Sequence, residues 1–137
     1  MAWLTRHGVR FHAPGYYLSA GPPRIQPVGG GVVLVDVLKA AAQAAGVHFQ
    51  YGVTAQRLLT GPGGAVTGVA VCDADGGSRN IAVDAVVLAS GGFQGSPDML
   101  RAHLGAGAET LQPISPGSRF NGGEGIRMAL AAGARRS

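Results

Sequence analysis

The chain is short of most of the residues on which self-contained chemistry is built. Cys72 is its only cysteine, which excludes an intrachain disulfide and a thiolate metal cluster and suits a reducing compartment. Its histidines, His7, His12, His48 and His103, stand apart and show no metal-ligand spacing. Charge is sparse at 13% of residues, and Lys39 is the only lysine among eleven basic side chains. The arginines run from Arg6 to Arg136 with one adjacent pair, Arg135-Arg136, so the net charge of +4 is spread out. A nucleic-acid surface gathers basic residues on one face, with aromatics interleaved for single strands, so nucleic acid is not an expected partner. The longest apolar region, 32–47, is interrupted by Asp36 and Lys39 and is short for a membrane span. The opening Met-Ala-Trp-Leu-Thr-Arg-His lacks the apolar core of a signal peptide, which makes the cytoplasm the expected location.

Familiar catalytic motifs are missing too. Gly29-Gly30-Gly31 leads to Leu34 where a dinucleotide fingerprint needs its third glycine, and Gln26-Pro27-Val28 is not a strand. No acid at a strand end about 20 residues later would hold a ribose. Lys39 follows Leu38, so there is no Gly-Lys-Ser/Thr phosphate loop, and no Gly-x-Ser-x-Gly elbow exists. Asp73 and Asp75 fall in a hairpin turn, where Asp is expected without any catalytic role.

What is present fits one α/β domain at most. The chain has 137 residues, 46% of them hydrophobic, which permits a buried core. Glycine is abundant at 24 residues, mostly at the ends of apolar stretches where the backbone must turn or approach something closely. Residues 1–28 read as a connecting segment with a short strand at 9–12. Pro14-Gly15 and Gly21-Pro22-Pro23 read as loops, and Tyr16 and Tyr17 as packing residues. Residues 29–52 read as a helix and a strand. Leu34, Leu38, Ala41 and Ala45 have helical spacing, Gly46 stops the helix, and its alanines predict close packing against a sheet. Val47-His48-Phe49-Gln50-Tyr51 alternates as a strand does, with His48 on the solvent side.

Residues 53–84 read as an antiparallel β-meander. Its strands are predicted at 54–60, 66–73 and 79–83, with turns at Gly61-Pro62-Gly63-Gly64 and Asp75-Gly76-Gly77. Cys72 within it reads as a small apolar strand residue rather than a nucleophile. Residues 85–137 read as a parallel strand and two helices. Ala85-Val86-Val87-Leu88-Ala89 is continuously apolar, the pattern of a strand covered on both faces. Ser96-Pro97-Asp98 supplies a cap, a first-turn proline and an early acid for a helix over 99–104. Asn121-Gly122-Gly123-Glu124 resembles a capping box before a helix over 126–132 that stops at Gly133.

Two places could meet a ligand. In open α/β sheets ligands bind beyond the carboxyl ends of strands, where Gly91-Gly92 would let one reach the backbone; a plain tight turn explains the same glycines. Gly122-Gly123-Glu124-Gly125 opens a helix whose free N–H groups favour an electronegative ligand. Glu124 would repel a phosphate, so it suits a sugar hydroxyl or an amine, or it simply caps the helix.

The order of these pieces resembles one large family. It is carried by the glycine-rich helix start, Gly46-Val47, Val66-Thr67-Gly68-Val69, the run from Ala85 through Ala89-Ser90-Gly91-Gly92-Phe93, and Asn121-Gly122-Gly123-Glu124-Gly125-Ile126-Arg127-Met128-Ala129-Leu130 closing on Ala132-Gly133-Ala134. It is similar to the fumarate reductase/succinate dehydrogenase flavoproteins, most of all to their tricarballylate dehydrogenase-like branch. The resemblance implies a partial Rossmann-like FAD-binding domain with an inserted three-stranded antiparallel meander. It also implies FAD contacts at Ala55, at Ala89, Ser90, Gly91 and Gly92, where the family has Ala-Thr-Gly-Gly, and at Glu124, where the family has a shorter acid. The family's Gly-x-Gly-x-x-Gly would precede residue 1, and its substrate-binding His and proton-delivering Arg would follow Ser137. The chain therefore reads as an internal fragment without catalytic or metal-binding residues of its own. The expected whole is an FAD-dependent oxidoreductase acting on a CH–CH bond of a small carboxylate-type substrate. The alternative is a stand-alone β-meander module that binds a partner through an exposed sheet edge.

Overall fold

The computed structural model describes residues 1–15, 21 and 24–135, so the expectations for Tyr16, Tyr17, Pro22, Pro23 and Arg136 lie outside the described residues. The chain divides into two units, Met1–Tyr51 and Gly52–Ser137.

In the first unit, helix α1 (Ala2–Arg6) leads through the buried Val9 to a short antiparallel ribbon. Strand β1 (Phe11–His12) pairs with β2 (Gln26–Pro27), and the Val28 N–H donates to the Arg10 carbonyl at 2.8 Å. The strand predicted at 9–12 thus forms in its second half. Helix α2 (Gly31–Ala44) ends where predicted. Gly46 takes φ +85°, and the Gly46 and Val47 N–H groups turn back to the carbonyls of Gln43 and Ala42. This left-handed closure satisfies two orphan carbonyls and strains any residue with a Cβ.

Three expectations fail in this unit, the first at Gln26–Pro27, where no strand is expected and β2 forms. No residue of α2 is buried, and Val32 and Val35 are exposed, so among the described residues of the unit no sheet covers the alanine-rich helix. Residues 47–51 join no ladder. Their alternation is that of a strand, but a strand needs a neighbour for its N–H and C=O groups, and none of the described residues supplies one. His48 is exposed as expected, while Phe49 and Tyr51 stack on each other at 6.4 Å with the Lys39 ammonium 5.1 Å from the Tyr51 ring.

The second unit is built on the predicted meander. Strands β3 (Val53–Thr60), β4 (Val66–Asp73) and β5 (Ser78–Ala82) pair antiparallel in that order. A short 3-10 turn over Pro62–Gly64 joins the first two. The second turn is closed by Asp73 N–H to Gly77 C=O at 2.8 Å and by Gly77 N–H to Asp75 Oδ1 at 3.0 Å, the Asx geometry that Asp-Gly-Gly favours. Ala70 and Val71, adjacent on β4 and therefore on opposite faces, are both buried, so the middle strand is covered on both sides. Gly68 lies so close to β5 that a Cβ would stand 2.6 Å from the Ile81 carbonyl oxygen. The half-buried Cys72 turns its thiol to the Asp73 carbonyl at 3.5 Å, as a strand side chain.

The run 85–89 departs from expectation in the same way as 47–51. It is in no ladder, and Val87 is 88% exposed, where cover on both faces was expected. After it comes helix α3 (Pro97–Leu104), with the Ser96 hydroxyl accepting from the Met99 N–H at 3.4 Å as its cap. Helix α4 (Glu124–Ala131) follows. Its cap is Gly123 in the left-handed region at φ +79°, with no side-chain cap bond, so Asn121 does not close a capping box. The left-handed backbone at Gly123 aims the chain away from the geometry that a capping Asn needs. Met99, Leu100 and Met128 join Ala70 and Val71 as the buried apolar side chains of this unit. No helix among the described residues is long and apolar enough to cross a membrane, and none of them form a group of three metal-ligating side chains.

Candidate functional site

Both glycine motifs singled out in the sequence meet at the start of α4. A Cβ on Gly125 would strike the Ser90 hydroxyl oxygen, so the end of the 85–92 segment lies directly on the first turn of the helix. A Cβ on Gly91 would stand 2.6 Å from Asn121 Oδ1, and Gly91 itself has φ +79°. Gly123 would meet the Met99 Cε at 2.9 Å and the Phe93 Cβ at 3.0 Å. These glycines are therefore required by the approach of one loop to another, and that approach is what presents the N-terminus of α4. The first N–H groups of a helix have no intrahelical acceptors and carry the positive end of its dipole. The Glu124 carboxylate folds back over Gly122 beside them.

On its other side α4 faces strand β3 across an open cleft of about 510 Å³. Ala55, Gln56 and Arg57 line it from the strand, and Glu124, Arg127 and Met128 from the helix. The strand carries a bulge at this point. Ala55 is opposite Val71 and Arg57 opposite Ala70, which leaves Gln56 as an extra residue without a ladder partner. A bulge breaks the alternation of faces and re-aims side chains, which is how neighbours in sequence come to line one cleft.

Arg127 is held from two directions. One terminal nitrogen donates to the Met99 sulfur at 3.0 Å, and the other stands 3.7 Å from Glu124 Oε1, too far for a hydrogen bond. Arg127 and Glu124 are each about half exposed (53% and 51%), so their ion pair is weak. Arg79 pairs with Asp73 at the β4–β5 hairpin as a two-pronged fork with bonds of 2.9 and 3.0 Å. That fork holds the Asp73 carboxyl below its ordinary range.

Of the residues expected to touch a cofactor, the structure brings Ala55 and Glu124 to one cleft. It sets Ser90 and Gly91 against the start of the same helix. Gly92 instead turns on the Gln94 side chain, with 2.6 Å to where a Cβ would be, and Ala89 is exposed. The sequence reading missed Gln56, Arg57 and Arg127 as cleft residues. For Arg127 a signal was available, since it lies three residues after Glu124 and so on the same helix face. Nothing in the sequence marked the bulge.

Comparison with known proteins gives this geometry its context. The family described as an FAD binding domain matches residues 2–137. The chain is 34% identical over 136 residues to the vinyl phenol reductase of Lactiplantibacillus plantarum (strain ATCC BAA-793 / NCIMB 8826 / WCFS1), covering 97% of this chain and 27% of that protein. It is 35% identical over 113 residues to the 4-oxocyclohexanecarboxylate 2-dehydrogenase of Sinomonas cyclohexanicum, covering 79% of this chain and 18% of that one. Its fold matches the open conformation of a flavocytochrome c3 fumarate reductase with a TM-score of 0.82 at 22% identity, over 98% of this chain and 24% of that one. The chain thus spans about a quarter or less of the length of these relatives. It belongs to the FAD binding domain family, and its cofactor is FAD.

Proposed function

We propose that residues 1–137 form part of the FAD cradle of a dehydrogenase or reductase acting on a CH–CH bond beside a carboxylate or carbonyl group. In this reading Ala55, Ala89, Ser90, Gly91, Gly92 and Glu124 hold the dinucleotide, and the catalytic residues lie in chain outside these 137 residues. The observation that carries it is that the Ser90-Gly91 turn packs on the glycine-rich start of α4, whose other side faces the bulged strand β3 across the cleft. The groups there suit a dinucleotide. Free helix N–H groups favour its negative charge, Glu124 can accept from ribose hydroxyls, and the apolar floor at Ala55 and Met128 suits a flat ring. Bound FAD supplies the hydride acceptor or donor, and the protein supplies position and charge.

The substrate class rests on the relatives. A vinyl phenol, a 4-oxocyclohexanecarboxylate and fumarate are named as what those proteins act on, and each couples an unsaturated or carbonyl-bearing carbon skeleton to an oxidoreductase. A small carboxylate such as tricarballylate fits that class, and the cytoplasm fits such a substrate. The exposed runs 47–51 and 85–89 are where further strands of a parallel sheet would pair, which supports the reading as an internal piece. A stand-alone meander module is not favoured, because the family match runs over nearly the whole chain rather than the meander alone. The test is the flavin content of the longer protein that carries this segment. It should purify yellow with the absorbance of bound flavin. A colourless protein that takes up no FAD on reconstitution would overturn the reading. Residues 1–137 alone should bind FAD more weakly than micromolar, measured by quenching of flavin fluorescence.

A further inference from the structure

Three neighbours hold the Glu124 carboxylate in one place. Glu124 opens α4, and its carboxylate folds back over Gly122 so closely that a Cβ on Gly122 would strike Oε1. The same Oε1 lies 3.7 Å from one terminal nitrogen of Arg127, one helical turn further on. The other terminal nitrogen of Arg127 donates to the Met99 sulfur at 3.0 Å. Met99 is buried, and Gly123 packs against its sulfur, so the helix start and the guanidinium share one support. Arginine can bridge the two sites because its planar fork carries donors on separate nitrogens. A thioether is an uncharged acceptor, so Met99 fixes one prong without neutralising the cation, and the charge still acts on Glu124. Both partners are about half exposed, so the pair adds little to stability. What it supplies is direction.

From this arrangement we infer that Arg127 is a positioning residue for Glu124: anchored on the Met99 sulfur, it keeps the carboxylate over Gly122, ready to accept from the hydroxyls of the dinucleotide. The inference rests on the FAD reading above and deepens it, since that reading gives Glu124 the hydroxyls without a device to hold its side chain. A free glutamate side chain loses much rotamer freedom when a ligand fixes it, and one already held loses less, which strengthens binding.

The experiment is a double-mutant cycle read on the dissociation constant of FAD, measured by flavin fluorescence in the longer protein that carries this segment. Glu124→Gln should weaken FAD about tenfold, as loss of a charge-assisted acceptor does. Arg127→Gln should weaken it about three- to fivefold, the scale of an exposed ion pair. In the Glu124→Gln background, Arg127→Gln should have no further effect. Melting temperatures should move by no more than about 2 °C, because both side chains are half exposed. Additive losses, or unchanged affinity in Arg127→Gln, overturn the inference; so does a loss of affinity that tracks an equal loss of melting temperature. Arg57 lines the same cleft from β3 and serves as the comparison. Arg57→Gln should add to Glu124→Gln, and equal coupling at Arg57 would mean that any cleft charge serves, which also overturns the inference. Met99→Leu keeps the apolar volume and removes the acceptor. It should weaken FAD in the parent and leave the Arg127→Gln variant unchanged; unaltered affinity in the parent overturns the anchoring role. If the unsubstituted longer protein takes up no FAD, the FAD reading falls and this inference with it, whereas FAD uptake with additive losses overturns the positioning alone.

Discussion

The meander β3–β5 and the run 85–89 are made of the same kinds of side chain, valine, alanine and leucine, yet one closes on itself and the other stands open. In the meander each strand finds its partner a few residues away, through one 3-10 turn and one Asp-Gly-Gly hairpin. Its backbone groups are satisfied and Val71 at its centre is 4% exposed. The run 85–89 has the pattern of a parallel strand, whose partners lie across connections of a dozen or more residues. Within the described residues no such partner exists, and Val87 is 88% exposed. Apolar content alone therefore does not make a core; the distance along the chain to a partner decides.

The largest test of that contrast is a matched pair of substitutions. Val71→Asp puts an unpaired charge into the covered strand and should cost on the order of 4 kcal/mol or more, enough to unfold a small domain. Val87→Asp on the open run should stay within about 0.5 kcal/mol of the parent chain. Urea melts followed by circular dichroism would measure both; similar losses at the two positions would erase the distinction. Next in size is Gly68→Ala, whose new methyl would press on the Ile81 carbonyl and should cost about 1–3 kcal/mol in the same melts. Ser96→Ala, which removes the α3 cap, should cost about 1 kcal/mol and leave the meander unaffected.

The smallest effect concerns the fork at the hairpin. Arg79 lowers the Asp73 pKa from its ordinary 3.8, first by hydrogen bonding to it. A carboxyl with a depressed folded pKa contributes stability above its unfolded value, and that contribution is lost as pH falls through the folded one. Asp73 is at the surface, so the contribution is minor. Asp73→Asn should lower the melting temperature slightly at neutral pH and should flatten its fall in the acid range below that value. An unchanged acid slope would show that the fork contributes nothing.

The meander was legible almost residue by residue because its signals are local. Alternation fixes the faces, and Asp75-Gly76-Gly77 and the glycines after Thr60 fix the turns. Gly46 and Gly133 were legible as helix stops for the same reason. The site was legible in its glycines and in Glu124, but only as separate motifs. Arg57 carried no mark, because an exposed arginine in a strand looks like any other until the cleft is seen, and Arg127 was marked only by its three-residue spacing from Glu124. Asn121 misled for a similar reason: the spacing to Glu124 matched a capping box, while the left-handed Gly123 moved the cap and left Asn121 to pack on Gly91.

By itself the sequence determined the strands and turns of the meander, the helices and the family resemblance, since periodicity, turn residues and motif order all act over short separations. Only the tertiary structure decided that the two glycine motifs share one helix start, that a bulge turns Gln56 and Arg57 toward α4, and that a buried sulfur holds Arg127 there. Those outcomes depend on residues far apart in the chain, 28 positions in the case of Met99 and Arg127, whose geometry is set by how elements pack and leaves no periodic trace in the sequence.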